Sequence, residues 1–87
     1  MERQDSDALV IFGASGDLCF KKIYPALYHL VRRGHLSVPV IGVARAGWNV
    51  ERLAEHVRDS VRTNVKQFDE AVLSKLTSLL QIGRAHV

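Results

Sequence analysis

Ala8-Leu9-Val10-Ile11-Phe12-Gly13-Ala14-Ser15-Gly16-Asp17-Leu18 is the stretch on which the reading of the whole chain turns. It begins as a continuous apolar run with β-branched and aromatic members, the pattern of a parallel strand buried on both faces rather than a half-exposed one. The run stops at Gly13, and a turn with a second glycine, Gly16, follows at once. Across residues 18–33 apolar side chains return at helical spacing, at Ile23, Leu27, Leu30 and Val31, and Gly34 stands where a helix C-terminus would use it. A strand that passes through a glycine turn directly into a helix is the opening of a βαβ unit.

The neighbouring sequence completes that unit. Pro25 should kink the first helix or mark its regular start, because it brings no amide donor and crowds the preceding turn. Val38-Pro39-Val40-Ile41-Gly42-Val43-Ala44 is expected to be a second strand, with Pro39 near its beginning, where a missing ladder donor is tolerable. Residues 8–44 then form one right-handed crossover. Beyond it, Asn49 can cap a helix carrying Val50, Leu53, Val57 and Val61 on one face. Asp69 can cap another carrying Val72, Leu76, Leu79 and Leu80. The fold class is α/β: the first part of a doubly wound parallel sheet, βαβ followed by two helices, with two strands supplied here and open sheet edges.

Composition removes several alternatives. The chain has 87 residues, 47% of them hydrophobic, enough for one small domain at most. Its net charge of +3 is spread along the sequence, without the basic stripe and interleaved aromatics of a nucleic-acid binder. A single cysteine, Cys19, excludes an internal disulfide framework and fits a reducing, cytoplasmic setting. The polar start Met1-Glu2-Arg3-Gln4-Asp5-Ser6-Asp7 is unlike a secretory signal, and no apolar run nears the roughly 20 residues that span a bilayer. No membrane or metal role is therefore expected. Ile82-Gly83-Arg84-Ala85-His86-Val87 neither continues nor caps the helical pattern before it and looks like a translated sequencing adapter, so residues 82–87 are set aside as a non-native tail, an ordinary frayed terminus being the alternative.

The chemistry belongs to the turn. A helix N-terminus presents amide donors and the positive end of a dipole, and glycines let the backbone approach a pyrophosphate without an intervening Cβ. Gly13 and Gly16 stand three apart, with no further glycine until Gly34, so the turn departs from the usual G-x-G-x-x-G fingerprint. Gly13 can make the tight turn, Gly16 can permit close approach, and Ser15 adds a hydroxyl. Arg45 follows the second strand, where dinucleotide sites selective for NAD carry an acidic residue on the ribose 2′-hydroxyl. A guanidinium there suits a 2′-phosphate, which points to NADP; an ordinary solvated arginine is the alternative.

Phe12-Gly13-Ala14-Ser15-Gly16-Asp17-Leu18, Lys21-Lys22-Ile23-Tyr24-Pro25-Ala26-Leu27-Tyr28 and Ile41-Gly42-Val43-Ala44-Arg45 are together similar to the signature segments of glucose-6-phosphate dehydrogenases. The resemblance spans residues 7–81. It implies a Rossmann-like NADP-binding domain in residues 1–81, and a parent reaction in which glucose 6-phosphate is oxidised to 6-phosphogluconolactone with hydride passing to NADP, at the entry to the oxidative pentose phosphate pathway. By motif position, Gly13, Ala14, Ser15, Gly16, Asp17 and Leu18 would form the coenzyme turn and Arg45 would meet the 2′-phosphate. Lys22 matches a family lysine that positions coenzyme and substrate; on the residues alone it is equally a solvated helix lysine. Cys19 stands where the family commonly has alanine and is read as a packing residue. Trp48 is expected to cover the sheet edge, with stacking on the adenine as the alternative.

The family's histidine base and its substrate domain lie outside these residues. His29, His35 and His56 have no carboxylate partner at dyad spacing and are read as surface or boundary residues, with His86 in the tail. The chain is accordingly expected to be inactive by itself, and the longer enzyme to be a homo-oligomer. Two alternatives stand beside this reading: a non-catalytic nucleotide-binding module, and another NADP-dependent reductase.

Overall fold

A computed structural model describes residues 7–83. The opening apolar run forms β1 (Leu9–Phe12). Beside it lies β2 (Val40–Val43), parallel, with Leu9 opposite Val40 and Phe12 opposite Val43. Parallel strands need a crossover. One helical stretch supplies it, starting at residues 17–18, widening into a π-helical turn (Cys19–Ile23) and settling into α1 (Tyr24–Arg32). Pro25 lies in the first turn of α1, so it does mark the regular start, and just before it the Tyr24 N–H reaches back to the Cys19 carbonyl at π spacing.

That widening leaves the Phe20 carbonyl facing a residue without an N–H, Pro25. The Ser60 hydroxyl and the Asn64 side-chain amide, the latter at 3.2 Å, donate to it instead. Ser60 is wholly buried for this purpose. At its other end α1 closes as the glycine signal requires. Gly34 takes φ +77°, its N–H donates to the Val31 carbonyl at 3.0 Å, and the His35 N–H donates to the Leu30 carbonyl at 2.8 Å.

Both expected caps form. Asn49 starts α2 (Val50–Asn64) by accepting the Arg52 N–H at 2.8 Å, and Asp69 starts α3 (Glu70–Ser78) by accepting the Ala71 N–H at the same distance. The faces differ in detail from the expectation. Leu53, Val57, Ser60 and Val61 are buried on α2 while Val50 lies at its exposed first turn, and Leu73 with Leu76 carries the burial on α3.

Among the described residues there are three strands, not two. After α3 stops at Ser78, β3 (Leu80–Gly83) pairs parallel with the far side of β2, Val40 opposite Leu80 and Gly42 opposite Ile82, giving the order β1-β2-β3. Leu80, assigned from the sequence to the last helix, is a buried strand residue. Ile82 and Gly83, set aside with the tail, lie in the sheet, and residues 84–87 are outside the described residues.

Helices α1, α2 and α3 pack on one another and on one face of the sheet, where Ile11, Val40 and Leu80 are buried. The opposite face of β1 is bare: Val10 is 47% and Phe12 76% exposed. The expectation of a strand buried on both faces is thus corrected, because every helix among the described residues sits on the same side. None of these helices is long and apolar enough to cross a membrane.

Candidate functional site

The turn between β1 and the first helical residues is built on backbone geometry. Gly13 takes φ +67°, a region that side chains disfavour, and the Gly16 N–H closes the turn on the Gly13 carbonyl at 2.8 Å. A Cβ on Gly16 would lie 3.1 Å from that carbonyl, whereas one on Gly13 would meet nothing within 4 Å. The turn is therefore tight inside and open outside. Ala14 forms its floor: it is wholly buried and its N–H donates to the Val43 carbonyl of β2 at 3.0 Å.

Gly42 lets that floor seat against the sheet. A Cβ there would stand 2.8 Å from Leu53 Cδ2 and 3.0 Å from the Ala14 Cβ. Asp17 and Leu18 begin the helix, so their amides belong to the first turn, which has no intrahelical acceptors. Leu18 is 68% exposed, and Asp17 forms an ion pair with Lys21 at 3.2 Å. Lys22 is exposed on the π-helical turn, one residue beyond that pair.

Arg45 stands just past the C-terminal end of β2, with its side chain in solvent. Its backbone N–H donates to the Ser15 hydroxyl at 3.2 Å, across 30 residues of sequence. The structure thereby brings Gly13, Ala14, Ser15, Gly16, Asp17, Leu18 and Arg45 to the same end of the parallel sheet, the carboxyl ends of the strands, where α/β sheets bind ligands. The open Gly13 surface, the close-approach position at Gly16, the helix start and the free-standing guanidinium fit an elongated, phosphate-bearing molecule.

Sequence reasoning missed the scaffold beneath the turn. Tyr24, 1% exposed, donates its hydroxyl to the Ala14 carbonyl at 2.8 Å and so fixes the turn from below. No motif marks such a bond; the only signal was a tyrosine at a core-facing helical position. Tyr28 accepts the Asp69 N–H at 2.7 Å and sets the start of α3. Cys19 is buried as a packing residue should be, and desolvation raises its thiol pKa, with the nearby Tyr24 hydroxyl a smaller, opposing influence. Burial, and secondarily the neighbouring Cys19, also pushes the Tyr24 phenol above its ordinary range. Neither group is poised to ionise at neutral pH.

Trp48 is partly buried against the core. Its indole meets the His56 ring edge-on, centroids 5.1 Å apart, and the Arg52 guanidinium lies 4.8 Å from its centroid.

Residues 10–86 match the family described as glucose-6-phosphate dehydrogenase, NAD binding domain. Glucose-6-phosphate 1-dehydrogenase of Dickeya dadantii is 40% identical over 75 residues, covering 83% of this chain and 15% of that protein. Glucose-6-phosphate 1-dehydrogenase 1 of Mycobacterium tuberculosis is 41% identical over 75 residues, 86% of this chain and 16% of that one. Among solved structures, the Mycobacterium avium glucose-6-phosphate 1-dehydrogenase superposes with a TM-score of 0.84 at 38% identity, over 93% of this chain and 18% of its own. A glucose-6-phosphate dehydrogenase in complex with its substrate glucose 6-phosphate gives 0.79 at 33% identity, over 99% and 19%. The chain thus spans 15–16% of the length of these curated relatives.

Proposed function

The chain belongs to the glucose-6-phosphate dehydrogenase family, within its nicotinamide-dinucleotide-binding domain, and on that premise we propose that residues 13–18 with Arg45 hold the adenosine and pyrophosphate part of NADP. One observation carries the reading: the Ser15 hydroxyl receives the Arg45 N–H at 3.2 Å, so the one basic side chain at the end of β2 stands at the lip of the glycine turn. The turn's backbone approaches the pyrophosphate, the first helical turn opposes its charge, and Arg45 pairs with the 2′-phosphate. Lys22 lies further along the same helical stretch and orients the nicotinamide end and the sugar phosphate.

Bound nicotinamide supplies the hydride acceptor. In the longer enzyme the substrate is glucose 6-phosphate, oxidised to its lactone as its hydride passes to NADP⁺ and a base outside these residues takes the hydroxyl proton, in a cytoplasmic homo-oligomer feeding the pentose phosphate pathway. The boundary at residue 81 is part of the same proposal, and the genomic DNA beyond the Gln81 codon tests it. A reading frame that runs on into a substrate domain supports a foreign origin for residues 82–87, and one that encodes those six residues refutes it.

The coenzyme reading is tested by titrating the 87-residue chain with NADP⁺ and NAD⁺, followed through its single tryptophan, Trp48. NADP⁺ should bind the tighter, and Arg45→Ala should weaken it by about tenfold while leaving NAD⁺ nearly unchanged. Equal affinities for the two coenzymes in the unmodified chain would refute the 2′-phosphate assignment.

A further inference from the structure

Among the described residues, His56 is the one titratable side chain whose environment neither the fold nor the nucleotide turn explains. It lies half-buried on α2, and its Nε2 is buried without a hydrogen-bond partner among the described residues. Three aromatic rings surround it: Phe20 at 5.1 Å, Tyr24 at 6.0 Å and Trp48 at 5.1 Å between centroids, the last two edge-on at 85° and 87°. Tyr24 and Trp48 lead to the two halves of the candidate site. The Tyr24 hydroxyl holds the Ala14 carbonyl at 2.8 Å, and the backbone N–H of Trp48, not its indole, donates to the Arg45 carbonyl at 3.3 Å, so the seat of the indole fixes where that amide lies.

The loop after β2 has little else to hold it. Ala46 and Gly47 are exposed, and Gly47 turns the chain at φ +92° with open space around it. Arg45 is therefore pinned on one side by Ser15 and on the other by Trp48, whose indole is clasped between His56 and Arg52. If the His56 ring is removed, Trp48 and Tyr24 each lose an edge contact, but Tyr24 stays buried with its hydrogen bond to the Ala14 carbonyl and Ser15 keeps its own, so the larger change falls on Trp48.

We propose that His56 is a positioning residue for Arg45, acting through Trp48, and that it sets the preference for a phosphorylated over an unphosphorylated adenosine ribose. The proposal rests on the coenzyme reading above. It makes His56 selective in effect: the contacts to the pyrophosphate come from residues 13–18 and survive its loss, whereas the contact to the 2′-phosphate depends on where the Arg45 backbone is held.

Calorimetric titration of the 87-residue chain and its His56→Ala and His56→Phe variants with NADP⁺ and NAD⁺ tests it, with circular dichroism to check folding. His56→Ala should lose about tenfold in NADP⁺ affinity with NAD⁺ held within about twofold, and His56→Phe, which keeps a ring against Trp48, should recover most of the loss. Parallel weakening of both coenzymes, or no change in their ratio, overturns the positioning role and leaves the coenzyme reading standing. A wild-type chain with no NADP⁺ preference overturns both. If His56→Ala does not fold, Trp48→Leu takes its place: the same selective loss supports the proposal, and an equal loss for both coenzymes overturns it.

Discussion

Pro25 stands at the i+5 position from Phe20, where the π-helical turn would take its next amide donor, and Ser60 on α2 supplies the missing hydrogen to the Phe20 carbonyl. A defect in the helix that follows the glycine turn is thereby converted into a tie between two helices. Ser60→Ala leaves that carbonyl with the longer, exposed Asn64 bond alone, at 3.2 Å. The expected loss is about 1–2 kcal/mol, read as a fall in melting temperature of roughly 4–8 °C per kcal/mol for a chain of this size. Pro25→Ala in the Ser60→Ala background restores a backbone donor and should return part of the loss; an unchanged melting temperature in Ser60→Ala would show that the carbonyl needs no such partner.

The seat of the turn offers a second test. Gly42 faces Leu53 and Ala14 so closely that a methyl group would stand 2.8 Å from one and 3.0 Å from the other. Gly42→Ala should therefore destabilise the chain by about 1–3 kcal/mol through overpacking. Because Leu53 Cδ2 is the nearer neighbour, adding Leu53→Val to Gly42→Ala should recover stability, even though Leu53→Val alone costs some. Thermal melts of the two single variants and the double variant decide it: strictly additive losses would mean that the clash is not with Leu53.

The order of elements was legible because the local signals agreed with one another. The apolar run ending at Gly13, the Gly34 terminator, and the Asn49 and Asp69 caps all formed as their chemistry required. The third strand was not, because Leu79 and Leu80 continue a helical spacing from Val72 and Leu76, and four residues are too few for strand alternation to outvote it. The exposure of Phe12 was hidden for a related reason: a strand's sequence shows that both faces are apolar, not whether a second helical layer is there to cover them. At the site, the sequence placed Gly13, Ser15, Gly16 and Arg45 by motif. Only coordinates could show that a hydroxyl on Tyr24 and a ring on His56 join the two halves, since those contacts run between residues with no fixed spacing.

Alkaline titration should expose the pair beneath the turn. Burial raises the Cys19 thiol above its ordinary value, and the Tyr24 phenol is raised in the same way. Both groups keep their protons longer in the folded chain than in the unfolded one. Their contribution is thus fully present below the unfolded thiol value of about 8.5 and is lost as pH rises through the folded values. Denaturant midpoints measured between neutral pH and about pH 10 should fall across this window, and Cys19→Ala should flatten the earlier part of the fall. In the native state at neutral pH the thiol should react with iodoacetamide far more slowly than in denaturant, because it is both buried and protonated. A thiol that reacts at the same rate in both conditions would contradict that account.

The bare sheet face sets the last expectation. Val10 and Phe12, 47% and 76% exposed, lie together on the side of β1 that no described helix covers, on a strand that has no neighbour beyond it among the described residues. An apolar edge of this kind recruits other strands, so the 87-residue chain should self-associate as its concentration rises. Phe12→Thr introduces a β-branched residue that also suits the strand while removing most of the exposed apolar surface. Sedimentation velocity should show less association for this variant, with stability changed by no more than about 0.5 kcal/mol. Ile11→Thr provides the contrast: Ile11 faces the helices at 9% exposure, so its replacement should cost stability without removing the sticky surface. If Phe12→Thr associates as readily as the parent chain, the contact lies elsewhere, and the open face of β1 is tolerated in water as it stands.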